Sequence, residues 1–495
     1  MNHSSLAALK LALLVVLAFI ASPAPAATRP PNIVLIVADD LGYSDLGCYG
    51  ARGFTTPNLD RMAAGGIRFT NFLVAQAVCT ASRTALMSGC YPNRLGMAGA
   101  LNHTSTNGLS PEEDLLPKLL KRRGYATAAF GKWHLGHQPK FMPTRQGFDV
   151  FAGIPYSNDN GPLHPSVRGI PSLPWYENET VTELDPDQSK FTSRLTERAV
   201  GFIKENRSRP FFLYLPHIMP HVPIAASAAF RGGSKSGLYG DTVQELDAGI
   251  GTVLATLREV GIERDTLVIF LSDNGPFLSY GDHAGSARPF REGKLTALEG
   301  GVRVPFIVSW PGKVPAGRTS GQFITGLDLL PSLVHLAGAD LPRATTDGQD
   351  LSGVLLGTRG AAARDSFLYY SGRELHAVRE GRWKLHLAHD YLTVNGPPGS
   401  GGKPANYANM KPDSIEESGV RGIASRHGYR VEKFAQSLFD LDKDPGETAD
   451  LAGAPPDIVG RLKKLAAEAR IDLGDSLTGA LGANLRINGP MAGKR

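Results

Sequence analysis

The chain has 495 residues, Lys+Arg 52 against Asp+Glu 47, 42% hydrophobic and 20% charged residues. This composition excludes disordered and fibrous classes, and the length suits a large buried core in more than one structural unit. A net charge of +5 without a Lys/Arg block leaves no footprint for nucleic acid, and three cysteines exclude a disulfide scaffold.

Residues 1–27 read as an export leader. Lys10 precedes an apolar run from Leu11 to Ile20, and Ala21-Ser22-Pro23-Ala24-Pro25-Ala26-Ala27 follows. That is the order of a signal peptide: charged start, short apolar stretch, small residues at the cut. A membrane anchor would need about 20 apolar residues, and prolines interrupt this run too soon. No later stretch is long and apolar enough to span a bilayer, so the mature chain is expected in the periplasm or secreted. Asn102-His103-Thr104, Asn178-Glu179-Thr180 and Asn206-Arg207-Ser208 fit glycosylation sequons.

Beyond the leader, short apolar runs alternate with amphipathic stretches, the pattern of an α/β protein with a largely parallel sheet. A strand over Ile33–Ala38 ends in Asp39-Asp40. A helix over 111–123 is followed by a strand over Ala126–Phe130, which ends in Gly131-Lys132-Trp133-His134. A helix over 192–205 leads to a strand over Phe211–Leu215, which runs into Pro216-His217-Ile218-Met219-Pro220-His221-Val222-Pro223. A long helix over 238–260 precedes a strand over Thr266–Ser272, which stops at Asp273-Asn274-Gly275. Each strand discharges ionisable or amide side chains at its carboxyl end, the edge where open α/β sheets bind ligands. One such pair is an ordinary turn; four together point to one site. A second region begins between 358 and 363. Short strands near 367–370, 376–379, 383–387 and 437–441 suggest an antiparallel sheet, with a Gly/Pro-rich loop over 395–409 and a helix over 456–471. No internal repeat is visible.

Asp39, Asp40, Asp273 and Asn274 offer only oxygen donors, which suit Ca²⁺ or Mg²⁺ better than zinc. Cys79 stands before a short helical stretch, where a helix N-terminus favours an anion, and Arg83 lies one helical turn on. A lone cysteine is most often a small buried hydrophobe, Lys132 alone a surface lysine, and His134 alone a packed histidine beside Trp133.

Cys79-x-Ala81-x-Arg83 fits the consensus C-x-[PA]-x-R of the formylglycine-dependent sulfatase family. The family's other motifs follow in order: Asp39-Asp40, Gly131-Lys132-Trp133-His134, His221-Val222-Pro223, Asp273-Asn274-Gly275, and Lys294 before Glu299-Gly300-Gly301-Val302-Arg303. Pro155-Tyr156-Ser157-Asn158-Asp159-Asn160-Gly161-Pro162 resembles the arylsulfatase A branch. Phe439-Asp440-Leu441 with Asp444-Pro445-x-Glu447 resembles the sulfatase C-terminal domain. The resemblance covers nearly the whole mature chain.

It implies an alkaline-phosphatase-like α/β domain, with a large mixed, mostly parallel sheet, over residues 28–360. A smaller α+β domain with an antiparallel sheet over 361–495 would complete the substrate cleft. It implies hydrolysis of sulfate monoesters, of aryl sulfates, sulfated sugars or sulfolipids. The nucleophile would be a formylglycine hydrate made from Cys79 by a maturation enzyme, held on a cation bound by Asp39, Asp40, Cys79, Asp273 and Asn274. Calcium is implied by the resemblance, and magnesium accepts the same ligands. Lys132, Lys294 and Arg83 would neutralise the sulfate oxygens. His221 would protonate the leaving alcohol, alone or with Lys294. His134 would take a proton from residue 79, and Ser157 would contact substrate. His217 competes with His221 for the acid role, but only His221 has the family's His-x-Pro setting. Ala81 replaces the commoner Pro, Asn158 stands where His is frequent, and Cys90 stands where Arg is frequent. Cys48 and Cys90 are either free or paired. Two rivals stay open: a phosphate or phosphonate monoester hydrolase of the same superfamily, and a sulfated-glycan-binding protein without turnover. The oligomeric state is not readable.

Overall fold

Every residue of Asn32–Ala38 (β1) is buried, and its side chains alternate between two separate cores. Ile33, Leu35 and Val37 enter one core, and Val34, Ile36 and Ala38 the other, the period of two expected for a strand covered on both faces. These observations come from a computed structural model, which describes residues 29–411, 420–451 and 456–487. The leader expected at 1–27 lies outside the described residues.

The large sheet comprises β1, β2 (Ile67–Phe69), β3 (Ala126–Lys132), β4 (Val150–Ile154), β5 (Pro174–Glu177), β6 (Thr180–Leu184), β7 (Phe211–Pro216), β8 (Thr266–Ser272), β9 (Phe306–Ser309) and β10 (Arg318–Ser320). Their spatial order is β10-β2-β9-β8-β1-β7-β3-β4-β5-β6. The centre is parallel: β1 pairs with β8 and β7, and β3 with β7 and β4. β9 runs antiparallel to its neighbours, and β5–β6 form an antiparallel edge. The carboxyl ends of β1, β3, β7 and β8 therefore emerge on one side, as the strand-end residues required.

Helices cover both faces. Cys79–Ser88 (α1), Leu116–Arg122 (α2) and Leu329–Ala337 (α5) pack on the face of Ile33 and Leu35. Phe191–Asn206 (α3) and Gly237–Glu259 (α4) pack on the other. The helix expected over 111–123 is thus shorter than read. Pro117 sits in the first turn of α2, where its missing N–H costs nothing. Had the helix begun at 111, the same proline would have broken it.

The C-terminal region builds an antiparallel sheet, order β11-β12-β13-β16, from β11 (Ser366–Ser371), β12 (Glu374–Glu380), β13 (Trp383–His386) and β16 (Ser437–Asp440). Between them β14 (His389–Val394) pairs with β15 (Tyr429–Phe434), two strands the sequence reading left out. Pro456–Leu473 (α6) covers the sheet, and Tyr369, Leu375, Leu462 and Ala466 join the core under α1. The described residues from 31 onward form one compact unit. A buried polar link lies within it: Lys384 Nζ stands 2.8 Å from Glu447 Oε1 and 3.1 Å from Glu299 Oε1. The Glu299 N–H donates to Glu447 Oε2 at 2.7 Å. The C-terminal sheet is thereby fastened to the loop that carries Lys294.

Candidate active site

Two of the four strand ends turn through left-handed backbone, Asp40 after β1 (φ 63°) and His134 after β3 (φ 59°). Asp and His tolerate this conformation better than bulky residues, and such strain collects at functional sites. Gly131 is obligatory for a different reason. Its φ is 133°, and a Cβ there would lie 1.8 Å from the carbonyl oxygen of Pro216. The strand end of β3 can approach β7 only without a side chain.

Three carboxylates and three cations interlock beneath the cavity. Lys132 Nζ stands 2.6 Å from Asp39 Oδ2. Lys294 Nζ stands 2.7 and 2.9 Å from the two oxygens of Asp40. The Arg83 guanidinium lies 2.9 Å from Asp273 Oδ2 and 3.4 Å from Asp39 Oδ2, and also donates to Lys132 O at 2.6 Å. All six side chains are buried. Burial works against each charge, yet Lys132 holds the Asp39 carboxyl below its ordinary range, and Asp40 holds the Lys294 ammonium well above its own. Arg83, expected on sulfate oxygens, spends its guanidinium on Asp39, Asp273 and the β3 carbonyl.

Cys79 opens α1, its thiol 3.5 Å from Asp39 Oδ1 and 3.4 Å from Lys294 Nζ. Burial pushes the thiol pKa up and Asp39 pushes it further, so the unmodified side chain stays protonated and is a poor nucleophile. Oxygen atoms of Asp39 and Asp40 cluster with the Cys79 sulfur and a His221 ring nitrogen within 4.8 Å. Asn274 sits against them, its amide donating to Asp40 Oδ1 at 2.7 Å, while its Oδ1 is buried without a partner among the described residues. An oxygen-rich donor set with a stranded amide oxygen fits a hard divalent cation.

The two histidines differ in which nitrogen they leave open. His134 Nε2 donates to Leu101 O at 2.6 Å, which leaves Nδ1 as a buried lone pair without a partner among the described residues. Burial, then Lys132, holds its pKa well below the ordinary value, so the ring is neutral. His221 Nδ1 donates to Val222 O at 2.5 Å, so Nε2 is its free end, 3.2 Å from Ser157 Oγ and 3.5 Å from Asp40 Oδ2. Ser157 also accepts from Lys132 at 3.2 Å. Cys79, His134, Ser157, His221 and Lys294 line one cavity of about 100 Å³. His217 is buried away from it, with neither ring nitrogen partnered among the described residues. Asn158 likewise points elsewhere, to Gln188 and Pro223 O. Cys48 and Cys90 are both unpaired.

All eleven side chains singled out in the sequence thus meet in one place. Phe277, Asp159, His164 and His427 also line the cavity and were missed. Asp159 stood inside a quoted motif, two residues past Ser157; His427 carried no signal, since only the β14–β15 pair brings it there.

Comparison with known proteins agrees with this geometry. Residues 31–339 match the sulfatase family model, and residues 362–480 match the C-terminal region of aryl-sulfatase. Human arylsulfatase A is 40% identical over 89% of this chain and 88% of its own length. Dog N-acetylgalactosamine-6-sulfatase is 40% identical over 92% and 88%. The crystal structure of a sulfatase from Pseudoalteromonas sp. superposes with a TM-score of 0.74 at 26% identity, covering 89% of this chain and 91% of that one. The alkaline-phosphatase-like sheet, the interlocked charges and these matches lead to one conclusion: the chain belongs to the sulfatase family and is a sulfuric ester hydrolase.

Proposed function

We propose that Cys79 is the precursor of a formylglycine, that a calcium ion is held by Asp39, Asp40, Asp273, Asn274 and residue 79, and that the enzyme cleaves sulfate monoesters with these groups. Family membership implies a metal ion and a formylglycine. The observation that carries the reading here is the Cys79 thiol itself, buried at a helix start between Asp39 and Lys294 and held protonated. A hydrated aldehyde at residue 79 supplies the oxygen nucleophile that this thiol cannot, and the cation supplies positive charge facing the sulfate.

The remaining work falls to side chains of this chain. Lys294 and Lys132 stay charged and face the sulfate oxygens, offsetting charge that develops there. Arg83 acts from behind, fixing Asp39 and Asp273. His221 has its Nδ1–H fixed on Val222 O, so a proton carried at Nε2 points toward the leaving oxygen beside Ser157. Lys294 Nζ, 2.7 Å from Asp40 Oδ1, stands beside it, so His221 takes the acid role alone or with Lys294. His134 is its complement: a neutral ring whose open Nδ1 lone pair is the position on it that can accept a proton beside residue 79.

The leader-like sequence at 1–27 supports export to the periplasm or beyond, and oxidation of Cys79 calls for a maturation enzyme. Release of inorganic sulfate from an aryl sulfate tests the reading. It should vanish on chelation, return with calcium, and be absent in Cys79→Ala. Turnover that survives both treatments would overturn it.

A further inference from the structure

Thr80, the second residue of α1, is buried and spends its hydroxyl away from its own helix. Oγ1 donates to the carbonyl oxygen of His134 at 2.9 Å and accepts the Leu101 N–H at 3.1 Å. Leu101 O in turn accepts the His134 Nε2–H at 2.6 Å. The three bonds close a circuit: Thr80 to the His134 backbone, the His134 ring to Leu101, and Leu101 back to Thr80.

The circuit matters because Leu101 has no ladder to hold it. Among the described residues, no helix or strand lies between Leu95 and Leu116, so this stretch depends on side-chain anchors. Leu101 also lines the cavity that holds Cys79 and His134. Which imidazole nitrogen carries the proton is set by the partner of the other. With Leu101 O fixed, Nε2 keeps its proton and Nδ1 stays a lone pair, on a ring placed by the left-handed turn after β3. With Leu101 O withdrawn, the other tautomer and a turned ring become accessible.

Neighbouring bonds do not replace this one. Arg83 ties α1 to β3 through Lys132 O at 2.6 Å, and the His134 N–H donates to Pro155 O at 3.1 Å. Both hold the end of β3, and neither reaches Leu101. The Thr80 hydroxyl uses its one proton and a lone pair on the two backbones that fix the imidazole, a role no hydrocarbon side chain can fill.

We propose that Thr80 is a positioning residue for the release of sulfate: it pins Leu101 so that His134 presents its Nδ1 lone pair to residue 79. The inference rests on the formylglycine reading above. After the sulfuryl group has passed to one hydroxyl of the hydrated residue 79 and the alcohol has left, the other hydroxyl must lose its proton. That proton goes to His134 Nδ1, and the O–H electron pair becomes the second bond of the restored C=O. The C–O bond to the sulfate breaks, its pair leaving with inorganic sulfate. His134, and Thr80 through it, therefore act after the substrate's own S–O bond is cut.

The test compares Thr80→Val, which removes the hydroxyl, with Thr80→Ser, which keeps it. Rates on 4-nitrophenyl sulfate are taken per aldehyde-bearing molecule, counted from the mass of the peptide that carries residue 79, because Thr80 lies inside the maturation motif. In Thr80→Val, kcat should fall about 10- to 100-fold and KM with it, leaving kcat/KM within about threefold of wild type. About one equivalent of 4-nitrophenol should appear before the slow phase. Thr80→Ser should restore kcat to within about threefold. Crystal structures of the unmatured variants should show His134 Nε2 beyond about 3.5 Å from Leu101 O in Thr80→Val and the contact kept in Thr80→Ser. An unmoved kcat, an unmoved Nε2 contact, or a fall in kcat/KM as large as that in kcat overturns the positioning role and leaves the formylglycine reading standing. If Thr80→Val escapes maturation, the two crystal structures decide. Wild type without the aldehyde, or without sulfate release, removes that reading and this proposal with it.

Discussion

Lys132 Nζ lies 2.6 Å from Asp39 Oδ2, with both side chains wholly buried. Neither charge reaches water, so each depends on the other and on Arg83 and Ser157 around them. Lys132→Ala leaves the Asp39 charge short of a partner, and breaking such a pair costs about 3–5 kcal/mol. The same change shifts the cluster from three cations against three carboxylates to two against three. Divalent-cation affinity should hold or tighten while kcat/KM falls by about 100-fold or more. Calorimetric titration with calcium beside steady-state kinetics checks both; weakened binding with intact turnover would refute the assignment.

Gly131 governs how β3 delivers Lys132 and His134. With a Cβ directed at Pro216 O, Gly131→Ala must push β3 from β7 or distort the turn. A loss of about 2–4 kcal/mol is expected, together with loss of sulfate release. Thermal unfolding and an activity assay measure the two effects.

The acid role of His221 has a leaving-group signature. In His221→Ala, turnover of alkyl sulfates should fall about 10²–10⁴-fold, the usual worth of a general acid. Turnover of 4-nitrophenyl sulfate, whose phenolate leaves without a proton, should fall far less. Equal losses on the two substrates would move the acid role elsewhere.

Acid should weaken the fold through buried histidines. Burial pushes the pKa of His217 down to about 3 and that of His386 down to about 4, from an ordinary 6.5. Below pH 6.5 the unfolded chain takes up protons that the folded chain refuses. This contribution is thus complete above pH 6.5 and is lost as pH falls toward 4 and then 3, at up to about 1.4 kcal/mol per pH unit for each ring. Urea unfolding at pH 7 and pH 5 should show a lower midpoint at pH 5. His217→Leu should flatten the dependence by about 1 kcal/mol per pH unit.

The centre of the molecule was legible because β1, β3, β7 and β8 are continuous apolar runs, buried on both faces, and each ends in residues that no core would keep. Edge strands were not. Thr180–Leu184 is exposed throughout and carries no burial pattern. β14 and β15 mix charged and apolar residues around a long loop and become strands only by pairing with each other. Motif spacing marked every strand-end residue, yet it could not show that Arg83 turns inward to the carboxylates. Nor could it show that His427, distant in the chain, shares a wall with Asp159. Such facts are set by tertiary packing, which leaves no local trace in the sequence.

The mass of the peptide that begins α1, taken from enzyme exported by its own host, tests the chemistry at its root. A mass matching an aldehyde or its hydrate at position 79 is the expected result, since Cys79-x-Ala81-x-Arg83 stands in a chain of the sulfatase family. An intact thiol in folded enzyme that releases sulfate would contradict the formylglycine reading.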